Sequence, residues 1–97
     1  KTMFTVFLRF AEHRARAPEF MDGHKAWIKQ GFDDGVFLMV GSLQPNMGGA
    51  ILAHAIARDA LEARVKNDPF VVEGIVTAEI LEITPARADE RLNFLMG

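Results

Sequence analysis

Apolar side chains in the first ten residues occupy both faces of an extended chain. Phe4, Val6, Leu8 and Phe10 alternate with Met3, Thr5, Phe7 and Arg9. This density of aromatic and β-branched residues predicts a strand over residues 2–10. Residues 11–17 hold Glu12, His13, Arg14 and Arg16 and read as a solvated loop. The period then changes. Phe20, His24, Trp27 and Ile28 fall at i, i+4, i+7 and i+8, the apolar stripe of an amphipathic helix. Pro18 and Glu19 suit its first turn, and it is expected to run to about Gly31. Gly23 within it costs about 1 kcal/mol relative to alanine and suits close packing against a strand.

Asp33-Asp34-Gly35 predicts a turn, and residues 36–40 a strand apolar on both faces that leads into Gly41-Ser42-Leu43. Residues 44–49 are dense in turn formers and predict a hairpin connection that includes Gly48 and Gly49. Residues 50–56 form the returning strand. Asp59 with Glu62 three residues on reads as a capping box, ahead of a short helix that buries Leu61 and Val65. Pro69 ends that helix. Residues 69–73 suit a further helical turn closed by Gly74, and residues 76–83 the last strand, stopped by Pro85. The order β-α-β-β-α-β predicts an α+β, ferredoxin-like fold: a four-stranded antiparallel sheet with two helices on one face. All 97 residues form one domain. The tail over residues 86–97 ends in Leu92, Phe94, Leu95 and Met96, and is expected to dock on its own or a partner subunit.

Two helices cover one sheet face, so the other should alternate apolar and polar residues. Here Phe7 adjoins Val6, Phe37 and Met39 adjoin Leu38, and Leu52 adjoins Ile51. A patch of that size predicts a second copy packed sheet to sheet, a homodimer. The competing reading folds the tail over the open face, although twelve residues are few for four strands.

Composition narrows the partners. The net charge of −2 gives no electrostatic case for nucleic acid or an anionic membrane. There is no cysteine, hence no disulfide, thiolate ligand or thiol nucleophile. Nothing approaches an apolar run of about 18 residues. Residues 2–10 are too short for a secretion signal and contain Arg9, so a cytoplasmic protein is expected.

His24 is the chemical anomaly, an imidazole where the stripe calls for an aliphatic side chain. It is either a hydrogen-bonded core residue or an acid–base group, for which histidine is suited near neutral pH. Asp68, before Pro69, is a good N-cap for the following turn. Side-by-side helices also bring it within reach of His24, where a carboxylate would fix the imidazole tautomer. Ser42 is a pocket lining or a turn residue. It lies outside any Gly-x-Ser-x-Gly elbow. Gly48-Gly49 either simply turns the hairpin or offers amides to an anionic ligand. His13 and His54 lack metal-ligand spacing with His24, and there is no phosphate loop or dinucleotide fingerprint.

A histidine on the first helix, Val40-Gly41-Ser42-Leu43 after the second strand, and Asp68-Pro69-Phe70-Val71 with Gly74 before the last strand together resemble the YCII-related (YciI-like) family. The resemblance spans roughly residues 2–88, and the Asp-Pro-Phe stretch is its most specific part. It implies a dimeric α+β barrel related to muconolactone isomerases and small antibiotic-biosynthesis monooxygenases. It also implies an active site on a His–Asp pair, here His24 and Asp68. The family includes a dehydrochlorinase acting on a chlorinated aromatic breakdown product.

The expectation is a homodimeric lyase or isomerase working without metal or organic cofactor on a small molecule, anionic or aromatic-derived. His24 would be the acid or base and Asp68 would orient it. Ser42 and the Gly48-Gly49 turn would position a polar group, in a pocket walled by Trp27, Phe37 and Phe70. The alternatives are a non-catalytic ligand-binding module with a structural His–Asp hydrogen bond and a cofactor-independent monooxygenase. The non-catalytic reading requires that no cavity adjoin His24.

Overall fold

In the computed structural model, which describes residues 2–97, the expected order of elements is present. Strand β1 (Met3–Phe10) leads through a short 3-10 turn into helix α1 (Ala17–Asp33). Strands β2 (Phe37–Leu43) and β3 (Gly48–His54) form a hairpin. Helices α2 (Arg58–Lys66) and α3 (Pro69–Val72) precede strand β4 (Val76–Ile83). The sheet order is β2-β3-β1-β4 with every neighbouring pair antiparallel. The chain is α+β with a ferredoxin-like four-stranded sheet.

Alternation along β1 sets the core. Phe4, Val6 and Leu8 are buried, and the register places Ala53, Ile51 and Gly49 of β3 opposite them on the same face. Leu61 and Val65 of α2, Phe70 of α3 and Ile75 close over that face. α1 is different. Its stripe of Phe20, Met21, His24, Trp27 and Ile28 is only half-buried, and Gly31 alone is fully buried. The helix stands off the sheet along part of its length.

Local boundaries moved for physical reasons. Gly48 and Gly49 are not in the turn: they open β3, paired with Leu43 and Ser42 of β2. Gly48 has φ of 128°, and a Cβ there would lie 2.0 Å from the Leu8 carbonyl oxygen, so only glycine lets β3 meet β1. The capping box does not form. α2 begins one residue before Asp59 and has no side-chain cap. Arg58 instead donates to the Ile80 carbonyl of β4 and pairs with Glu62 and Glu82, which leaves Glu62 engaged in the wrong direction for a box. The tail forms a 3-10 stretch (Glu90–Leu95) opened by Asp89, buries Leu95 and sets Phe94 edge-on against His54.

The tail leaves most of the open sheet face bare. Met39, Leu81 and Ile83 are 54%, 47% and 42% exposed there, around half-buried Met3, Phe7 and Leu52. No helix among the described residues is long and apolar enough to cross a membrane.

Candidate active site

Asp68 owes its position to backbone chemistry. α2 runs out at Lys66, and the Asp68 N–H still donates to the Val65 carbonyl at 3.1 Å. Pro69 then forces Asp68 into an extended conformation (φ −61°, ψ 123°), which makes it the N-cap of α3. Its Oδ1 accepts the Phe70 N–H at 3.0 Å. The same oxygen accepts His24 Nδ1–H at 2.7 Å, from α1. Asp68 is fully buried, and its second oxygen, Oδ2, has no partner among the described residues. A buried carboxylate answered by two donors on one oxygen depends heavily on both, because losing a partner leaves an uncompensated charge. That dependence ties the imidazole to one tautomer. With Nδ1–H committed to Asp68, the free ring nitrogen is Nε2.

One ring contact and two anchors of its helix fix the imidazole. It stacks on the Phe70 ring at 3.9 Å between centroids with the planes 1° apart. Trp27, one turn further along α1, lies 6.1 Å from it and donates its indole N–H to the Arg64 carbonyl at 3.0 Å, pinning α1 to the end of α2. Gly23, immediately before His24, packs not against a strand but against the Pro69 ring that opens α3: a Cβ there would come within 3.2 Å of Pro69 Cγ. Replacing Gly23 by valine is therefore expected to push α1 away from α3 and lengthen the His24–Asp68 hydrogen bond. The cost is about 1–3 kcal/mol of overpacking. A chemical-denaturation midpoint, together with loss of a downfield His24 Nδ1–H proton resonance, checks both halves.

Beside the ring lies a groove of about 400 Å³ between α1 and the sheet. His24, with 13% of its side chain exposed, lines it together with Phe70, Ser42, Gly48 and Gly49. Ser42 faces the helices because it pairs with Gly49, which shares the core face with Ile51. Its hydroxyl therefore looks across a floor that has no side chain opposite. Trp27 and Phe37 are not on this wall. Phe37 is buried, packed by the edge of Trp27 at 5.1 Å, and Trp27 borders a different hollow against α2. Both serve as struts behind the site, because the indole is drawn toward the Arg64 carbonyl. Sequence reading missed Met21, Lys25 and Ile28 of α1 and Leu8, Phe10, Val40 and Val76 of the sheet, which also line the groove. The signal was present on α1, where Met21, Lys25 and Ile28 form a ridge at i, i+4 and i+7 beside His24.

The three histidines stand apart. His13 Nδ1–H donates to the Glu73 carbonyl at 3.1 Å, and His54 faces the tail.

Over 89% of this chain and 95% of the other, the structure is similar to 5-chloro-2-hydroxyhydroquinone dehydrochlorinase (TftG) from Burkholderia phenoliruptrix AC1100, solved with 2,5-dihydroxybenzoquinone; the TM-score is 0.66 and the identity 14%. The chain has the subunit fold of the dimeric α+β barrels. SnoaB, a cofactor-independent oxygenase from Streptomyces nogalater, is similar at a TM-score of 0.47 and 12% identity, over 92% of this chain and 96% of that one. No family model and no curated protein matches the sequence. At these identities the likeness concerns the fold alone.

Proposed function

We propose that the chain is a small-molecule enzyme of the lyase or isomerase type, close to the YCII-related family, that moves a proton with His24. The supporting observation is the placement of the ring: Nδ1–H is held by buried Asp68 at 2.7 Å while the ring borders a 400 Å³ groove. A core histidine of the non-catalytic reading has no need of a cavity beside it. In the proposed reaction Nε2 takes a proton from a ligand carbon or hydroxyl and returns it to a neighbouring atom or a leaving group. Asp68 stabilises the imidazolium formed in between. The Ser42 hydroxyl and the backbone at Gly48 and Gly49 orient a polar group of the ligand. Dehydrochlorination, the activity in the name of the structural neighbour, is one reaction of this class.

One observation favours the second reading, a structural hydrogen bond. Asp68 Oδ1 also caps α3, so the residue has a folding role whatever else it does. Parallel assay of wild type and His24→Asn against hydroxylated and halogenated ring acids, quinones and dienes separates the two. Turnover by wild type alone supports chemistry. Loss of the fold in the variant supports structure.

The working unit is proposed to be a pair of chains joined through their open sheet faces. Exposed Met39, Leu81 and Ile83 form an apolar surface that a second identical face would cover. Sedimentation is expected to give a dimer for wild type and a folded monomer for Leu81→Glu, since a charge at a two-fold interface meets its own copy.

A further inference from the structure

From the charges around the groove we infer that its ligand is an anion with an apolar body, and that Lys25 is the residue that reads the anionic group. This inference rests on the groove being the ligand site proposed above, and it concerns recognition rather than proton transfer.

Every wall of the groove is apolar or backbone except at three side chains: His24, Lys25 and Ser42. None of the residues lining it is a carboxylate, in a chain with more acids than bases, 13 against 11. Asp68 stands behind the His24 ring and is not part of the lining. Among the described residues, a ligand entering the groove therefore meets one lining lysine, Lys25, and no lining carboxylate.

The ammonium of Lys25 also lacks an ion-pair partner among the described residues, and the rest of α1 shows why that is informative. Arg16 pairs with Glu19 at 3.2 Å and Lys29 with Asp33 at 2.7 Å, each along the helix. At the far end Asp34 accepts from Arg64 at 3.0 Å. Lys25 makes no ion pair among the described residues, although Asp22 lies one turn before it. Met21 and Ile28, at i−4 and i+3 on the same ridge, are groove walls. A second cation lies near the same wall: the Arg14 guanidinium rests 4.1 Å from the centroid of Phe10, which is itself part of the lining. Neither cation makes an ion pair among the described residues, so both can act on a bound anion.

The volume sets the size of the apolar body. A cavity of about 150 Å³ accommodates benzene. The groove, at about 400 Å³, has room for one substituted ring with a carboxylate, or a hydroxyl ionised to a phenolate or enolate. Leu8, Ile28, Val40 and Phe70 would flank the ring, with the anionic group at the Lys25 rim and the reacting atom toward His24, the next residue on the helix. The ammonium would then stabilise negative charge that develops when His24 removes a proton.

A matched pair of probes tests this without turnover. Salicylate and salicylamide share size and shape and differ in charge. Titration followed by the His24 ring resonances is expected to place salicylate in the groove, bound about fivefold more tightly than salicylamide, the upper range for an exposed ion pair. Lys25→Met removes that preference by weakening salicylate alone, Lys25→Arg keeps it, and added salt reduces it. Equal binding of acid and amide, equal weakening of both by Lys25→Met, or failure of salicylate to perturb His24 overturns the inference. If the charge preference stands while no substrate is turned over, only the proton-transfer reading fails. If turnover stands without the preference, only the anion reading fails.

Discussion

Replacing His24 with asparagine is expected to lower turnover by about 10²- to 10⁴-fold, the range for loss of a positioned acid–base group. The fold should be retained. The asparagine amide can occupy the place of Nδ1–H and still donate to Asp68 Oδ1, so the buried carboxylate keeps its second donor. What disappears is Nε2, the ring nitrogen with no hydrogen-bond partner among the described residues. Asp68→Asn makes the complementary change. Asparagine caps a helix as well as aspartate does, so the Phe70 N–H stays satisfied. The negative charge that would stabilise the imidazolium is gone, and turnover should fall while the melting temperature changes little. Steady-state rates and circular-dichroism melts on the same preparations read both effects. Unchanged rates in His24→Asn, or a melt that collapses with activity, would assign the pair to the fold.

The largest effect on stability is expected from Gly31→Ala. Alanine favours a helix over glycine by about 1 kcal/mol, so propensity alone predicts a gain. Packing predicts the reverse. Gly31 is the buried residue of α1, and a Cβ there would lie 2.1 Å from Phe37 Cδ2. The Phe37 ring cannot swing aside freely, because Trp27 and Phe32 meet it edge-on at 5.1 and 6.1 Å. Overpacking of this kind costs about 1–3 kcal/mol beyond the propensity gain. A net loss near 2 kcal/mol would lower the melting temperature by roughly 10 °C. The strain would also reach the site, since Trp27 holds α1 to the Arg64 carbonyl next to the chain that carries Asp68. A variant that melts at or above wild type would show that Phe37 has room to relax.

Legibility in the sequence followed the range of the interaction. The last strand was readable to the residue, Val76–Ile83, because a run rich in β-branched residues sits between Gly74 and Pro85. The capping role of Asp68 was readable because Pro69 dictates the backbone on either side. The start of α2 was misread: a long-range contact from Arg58 to β4 outweighed the local Asp59–Glu62 pattern. Gly48 and Gly49 looked like turn residues, since nothing local shows that the Leu8 carbonyl lies against one of them. Trp27 and Phe37 looked like pocket walls because apolar periodicity marks a helix face without saying what that face meets.

By itself, then, the sequence determined the order of elements, the ferredoxin-like sheet and the presence of an imidazole on a helix stripe. Each of these depends on periodicity and on proline and glycine, which act within a few residues. Only the tertiary structure decided that His24 Nδ1–H and the Phe70 N–H share one oxygen of Asp68, that α1 stands off the sheet to leave a groove, and that Lys25 borders it with no ion pair among the described residues. These depend on how closely α1 approaches α3 and the sheet, which is set by the absence of a Cβ at Gly23, against Pro69, and at Gly31, against Phe37 of β2.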